Sequence, residues 1–87
     1  MLANYWEYLK RDDMQELTSL RYFIGIVDSG GFTAAARALH VSQPALTRSL
    51  QNLEFQLDCV LLKRDEGRTE LTREGELFLQ RARQIMA

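Results

Sequence analysis

Between Ser42 and Gln51 the chain reads Ser-Gln-Pro-Ala-Leu-Thr-Arg-Ser-Leu-Gln. These side chains, in this order, suit the reading of a surface rather than the making of a bond. A Ser42 hydroxyl can accept from a helix N–H and still reach a phosphate. The Gln43 amide can pair bidentately with adenine, and Arg48 can meet a guanine edge or a phosphate. Pro44, Ala45 and the Thr47 methyl offer small apolar contacts of the kind thymine methyls accept. Small groups here would let a helix end sink deep into a groove, with its partial positive charge toward phosphate. Further on, Lys63, Arg64 and Arg68 supply cations for the backbone or the minor groove.

Nothing comparable points to catalysis. His40 is the only histidine and Cys59 the only cysteine, so no thiolate or imidazole cluster can hold a metal and no disulfide can form. No nucleophile, base and orienting group can be assembled, and no glycine-rich loop suits a phosphate. No catalytic residue, metal or cofactor is expected.

The elements that must position these residues are helical. Leu20, Phe23, Ile24 and Val27 follow the i, i+3, i+4, i+7 spacing of one apolar stripe, and Gly30 and Gly31 end that helix. Phe32, Ala35, Ala36 and Leu39 repeat the spacing on a short, alanine-rich helix, for which Gly31 and Thr33 are both candidate caps. His40 and Val41 make a tight connection to Ser42, an N-cap, with Pro44 in the first turn. Leu46, Leu50, Leu53 and Leu57 then line one face of a third helix, while Pro44, Arg48, Gln51, Asn52 and Phe55 point away from it. Short helix, tight turn and longer helix make a helix-turn-helix, whose second helix enters the major groove. Residues 60–64 and 68–72 read as two strands around a three-residue turn of Asp65, Glu66 and Gly67. Thr72 caps a last helix with Phe78, Ala82 and Ile85 on one face and Leu77, Leu79 and Met86 around the rest. A helix apolar on more than one side needs a second partner, so a twin subunit is expected there. Leu2, Tyr5, Trp6 and Leu9 fit another short amphipathic helix, followed by a polar break.

Eighty-seven residues allow one small core. No apolar run approaches the ~20 residues of a membrane helix, and no signal peptide is visible. With the single cysteine, this implies a cytoplasmic setting. The net charge of −1 counts against a general nucleic-acid binder, though the stretch from Phe32 to Arg73 is the most basic part of the chain.

The segment from Leu17 to Thr72, above all LRYFIGIVDSGGFTAAARALHVSQPALTRSLQNLE and the hairpin ending in LTREGE, closely resembles the N-terminal domain of LysR-type transcriptional regulators. The resemblance implies a mainly α, winged helix-turn-helix fold: a three-helix core and a short β-hairpin wing over residues 14–72, then a linker helix over 73–87. It implies promoter binding to pseudo-palindromic double-stranded DNA by a homodimer. The reading helix maps onto Ser42–Gln51, the wing onto Lys63–Thr69, and backbone contacts from the preceding helix onto Thr33, Ala34 and Arg37. Dimerisation falls to Leu77, Phe78, Arg81, Ala82 and Ile85. Family members usually carry a C-terminal domain that binds a small effector and assembles higher oligomers. Its absence from this sequence reads as an excised DNA-binding domain or else a natural truncation, the former being favoured, and residues 1–13 read as an extension, since members normally start near Met14.

Four departures from the family pattern stand out. Asp58 occupies a usual glycine position, and Leu62 a usual phenylalanine. Phe55 replaces a polar residue, where another chain or the N-terminal extension could meet it. Asp65, Glu66 and Glu70 make the wing more acidic than is typical. Two alternatives remain open on these residues: a winged-helix protein-association module without DNA binding, and a related regulator of the molybdate-responsive type.

Overall fold

The computed structural model describes residues 14–65 and 67–87; the amphipathic helix expected in residues 1–13 lies outside them, as does Glu66. Helix α1 (Met14–Ser29) is the central strut, packing against the three other helices. It buries Leu20, Phe23 and Ile26, while Ile24 and Val27 are half-buried. The core face is therefore rotated from the expected stripe, because neighbours on several sides share it. Helix α2 (Phe32–Leu39) starts from Gly31, which offers no side-chain cap; Thr33 lies within the first turn.

The turn into the next helix closes with His40 in the left-handed conformation, φ 58°. Its two amides donate back to the helix, Val41 N to the Ala36 carbonyl at 3.0 Å and His40 N to that of Arg37 at 3.4 Å. Helix α3 (Gln43–Leu57) begins at Ser42, whose hydroxyl oxygen accepts from the Ala45 amide at 3.2 Å. Leu46, Leu50, Leu53 and Leu57 are all buried, each contributing about 1.5–3 kcal/mol of apolar transfer. They anchor α3 by one face. Asp58 then takes the left-handed position, φ 56°, and the Cys59 amide donates to the Glu54 carbonyl at 3.2 Å.

The hairpin pairs β1 (Leu62–Asp65) antiparallel with β2 (Arg68–Leu71), in the register Leu62 to Leu71 and Asp65 to Arg68. The connection is thus two residues rather than three, with Gly67 at φ +78° where a side chain would be strained. Val60 and Leu61 stay out of the ladder, contrary to the expected strand. Their backbone is committed elsewhere: the Leu61 amide goes to α3, and the Leu61 carbonyl accepts from the Thr72 amide at 3.0 Å.

Thr72 secures the start of helix α4 (Arg73–Met86) by accepting from the Gly75 amide at 2.9 Å and donating to the Val60 carbonyl at 2.6 Å. Gly75 permits this approach; a Cβ there would fall on the Leu61 carbonyl oxygen. Phe78 and Ala82 are wholly buried in the chain's own core, and Phe78 meets Phe23 with ring centroids 5.6 Å apart. A bidentate ion pair from Arg83 to Asp28, 2.6 Å at its shorter contact, ties the far end of α4 to α1. Thus α4 shares the main core.

Candidate nucleic-acid interface

The leucine face of α3 is sunk in the core, so the opposite face of its first two turns must look outward. Ser42, Gln43, Pro44, Ala45, Arg48 and Gln51 are exposed, and Thr47 is half-buried. On α2, burial of Phe32, Ala35 and Ala36 turns Thr33, Ala34 and Arg37 to the outside. The two exposed faces meet through one hydrogen bond: Gln43 Nε2 donates to Thr33 Oγ1 at 3.0 Å. This bond fixes the amide's direction while leaving Oε1 and a second N–H of Gln43 available, the pair that adenine requires. Thr33, expected as a cap, is an orienting group instead.

Strand alternation sends Lys63 and its neighbour Arg64 to opposite faces of the wing. Arg64 lies with its guanidinium carbon 3.7 Å above the centre of the Phe32 ring, and Nη2 donates to Thr47 Oγ1 at 3.5 Å. The wing is thereby clamped to α2 and α3 by a cation–π contact and a long hydrogen bond. Arg64 and Arg68 share a groove with Thr33, Ala34 and Gln43. Lys63 is not in that group. It pairs across the hairpin with Glu70 and lines a separate hollow with Cys59 and Glu74.

The position of the whole wing depends on a residue that sequence reasoning missed. The Glu54 carboxylate accepts from the amides of Leu61, at 2.6 Å, and Leu62, at 3.2 Å. Nothing in the helical period distinguishes Glu54 from its polar neighbours; only the returning chain does. Phe32 was legible as a core residue but not as the platform for Arg64. Asp28 and Arg83 are 55 positions apart, and no local signal joins them. The Arg83 guanidinium holds the Asp28 carboxyl below its ordinary value, and the Asp28 carboxylate raises Arg83 in turn. Burial pushes the Cys59 thiol up, helped by the carboxylates of Glu74 and Glu54, which fits a half-buried packing residue rather than a reactive thiolate. Among the described residues no cluster of His, Cys, Asp and Glu could hold a metal ion, and no helix is long and apolar enough to cross a membrane.

A trihelical core with a protruding helix end and a hairpin clamped beside it defines a winged helix-turn-helix DNA-binding domain. The pattern of the bacterial regulatory helix-turn-helix proteins, lysR family, matches residues 17–76, and the chain belongs to that family of transcription regulators, which are not enzymes. It is 48% identical over 71 residues to the HTH-type transcriptional regulator TcbR of Pseudomonas sp. (strain P51), covering 82% of this chain and 24% of TcbR. It is 43% identical over 72 residues to TfdT of Cupriavidus pinatubonensis (strain JMP 134 / LMG 1197), covering 83% of this chain and 32% of TfdT. The chain therefore spans about a quarter to a third of these relatives. Among solved structures, the DNA-binding domain of CbnR in complex with DNA matches with a TM-score of 0.77 and 47% identity, over 80% of each chain. That of BenM with catB site 1 DNA matches with a TM-score of 0.77 and 41% identity, over 80% of this chain and 79% of BenM's.

Proposed function

We propose that this chain reads double-stranded promoter DNA, with α3 in the major groove and the wing along the backbone or in the minor groove. One observation carries the reading: the polar, small-residue start of α3 stands exposed while four leucines hold its other face in the core. Gln43, oriented by Thr33, and Arg48 are the base-reading side chains. Pro44, Ala45 and Thr47 give apolar contacts, Ser42, Thr33, Ala34 and Arg37 line the phosphates, and Gln51 extends the helix face. Arg68 is the principal wing cation, with Arg64 holding the wing in place. The CbnR and BenM domains were each solved with DNA, which supports carrying this role to a chain of the same fold.

The domain acts as a homodimer on a pseudo-palindromic site. Leu77, Arg81 and Ile85 recur every four residues on the outer side of α4, and Leu77 and Ile85 are 49% and 40% exposed. Phe78 and Ala82, expected in that interface, are committed to the intramolecular core, so the dimer face is narrower than the sequence implies. A reducing cytoplasm suits the lone Cys59. Response to a small effector, and assembly beyond a dimer, are assigned to a region such as the longer relatives possess.

Selection of bound sequences from a random DNA pool tests the proposal. The expected result is enrichment of a pseudo-palindromic element. Recovery of random sequence at moderate salt would overturn it in favour of a protein-association role, for which the acidic residues of the wing are suited.

A further inference from the structure

We propose that Arg64 is a positioning residue for base recognition: it turns Thr47 so that the threonine methyl, not its hydroxyl, meets a thymine in the major groove. The inference rests on the DNA-reading role proposed above and assigns it one base. Thr47 carries both groups on a single β-carbon, and a helical threonine divides between two rotamers. The wing supplies the choice. Arg64 Nη2 donates to Thr47 Oγ1 at 3.5 Å, so the oxygen is directed at the hairpin and the methyl is left for the base.

That bond is long and Arg64 is exposed, so the guanidinium needs a second anchor to keep its direction. Its carbon lies 3.7 Å above the centre of the Phe32 ring, a cation–π stack on a side chain itself buried at the start of α2. Because the guanidinium is planar, stacking fixes the plane in which its N–H groups point. Thr33, next after Phe32, accepts from the Gln43 amide at 3.0 Å, and Gln43 lies one turn before Thr47 on the same face of α3. Both side chains are thus braced from outside their own helix, at neighbouring points of one support.

The test replaces the thymines of the selected site, one at a time, by uracil, which removes only the C5 methyl. The parent should lose about fourfold in affinity at the thymine that Thr47 meets, the size expected for one methyl returned to water. Thr47→Ser keeps the hydroxyl and should abolish the uracil effect at that thymine, which identifies it. Arg64→Ala should shrink the effect there to about twofold or less and leave it unchanged at every other thymine. Arg64→Lys should do the same, since lysine keeps the charge without the planar stack. Circular dichroism verifies that all three variants fold.

If Arg64 only holds the wing, both its variants weaken every site alike and keep the fourfold effect, which overturns the proposal. A salt slope reduced by about 1 in Arg64→Ala marks a phosphate contact and also overturns it. So does a Thr47→Ser variant that abolishes the uracil effect at no thymine. Selection that enriches no element defeats the DNA-reading role, and this inference with it; an enriched element whose uracil effects ignore Arg64 defeats this inference alone.

Discussion

The Glu54 carboxylate accepts a 2.6 Å hydrogen bond from the Leu61 amide and a 3.2 Å bond from the Leu62 amide, so a single side chain of α3 fixes where the wing begins. Hydrogen bonds to a charged acceptor are worth about 1.5–3 kcal/mol each, and loss of the acceptor leaves buried donors unpaired. Glu54→Ala should therefore destabilise the domain by about 2–3 kcal/mol in urea unfolding. Glu54→Gln, which retains an acceptor without the charge, should fall between the variant and the parent.

Asp58 terminates α3 with φ 56°, a conformation that disfavours a Cβ by about 1–2 kcal/mol for most residues and somewhat less for Asp. Asp58→Gly should stabilise the domain by about 1 kcal/mol, read as a raised urea midpoint with an unchanged slope.

Gln43 and Thr33 act as a pair across the helix-turn-helix. Gln43→Ala should relax preference at one base position by about 1–3 kcal/mol, measured by competition between the selected site and its single-base variants. Thr33→Val removes the 3.0 Å hydrogen bond while keeping the shape, and should weaken the same preference by less.

Arg68 lines the groove that holds Gln43, whereas Lys63, further down the hairpin, lines a different hollow. Arg68→Ala should weaken binding uniformly across sequences and reduce the slope of log affinity against log salt by about 1. Lys63→Ala should leave both nearly unchanged, because Lys63 faces Glu70 and Cys59 rather than the groove that holds Gln43. Equal effects from the two variants would refute this assignment.

The Asp28–Arg83 pair gives a pH dependence of known sign. Asp28 titrates lower in the folded chain than its ordinary 3.8, so the folded state binds its proton less readily. The stabilisation is full above 3.8 and is lost as pH falls from there through the folded value. Urea midpoints between pH 7 and pH 3 should show Asp28→Asn losing part of the parent's acid-side decline. The difference should be small and should shrink with salt, since both side chains are about half exposed.

Local rules determined much of this protein. The four leucines of α3, the Ser42 and Thr72 caps and the glycine after α1 were readable because helical periodicity and capping act within a few residues. The proposed DNA-reading residues at the start of α3 were chosen from residue type and position, and from their likeness to a family, and the structure leaves most of them exposed. The left-handed ends were harder: Asp58 was legible only against that family's glycine.

Tertiary structure alone decided how the parts were joined. Strand alternation and the two-residue connection sent Arg64 inward to Phe32 and Thr47, and sent Lys63 away from the interface. Phe78 and Ala82 look equally suited to a twin helix or to the chain's own core until α1 lies alongside them. Glu54 resembles any solvated helix residue until the returning chain presents two amides to it. The reason is common to all three: a side chain's role depends on which distant groups reach it, and that partner is set by packing over the whole core rather than by its neighbours in sequence.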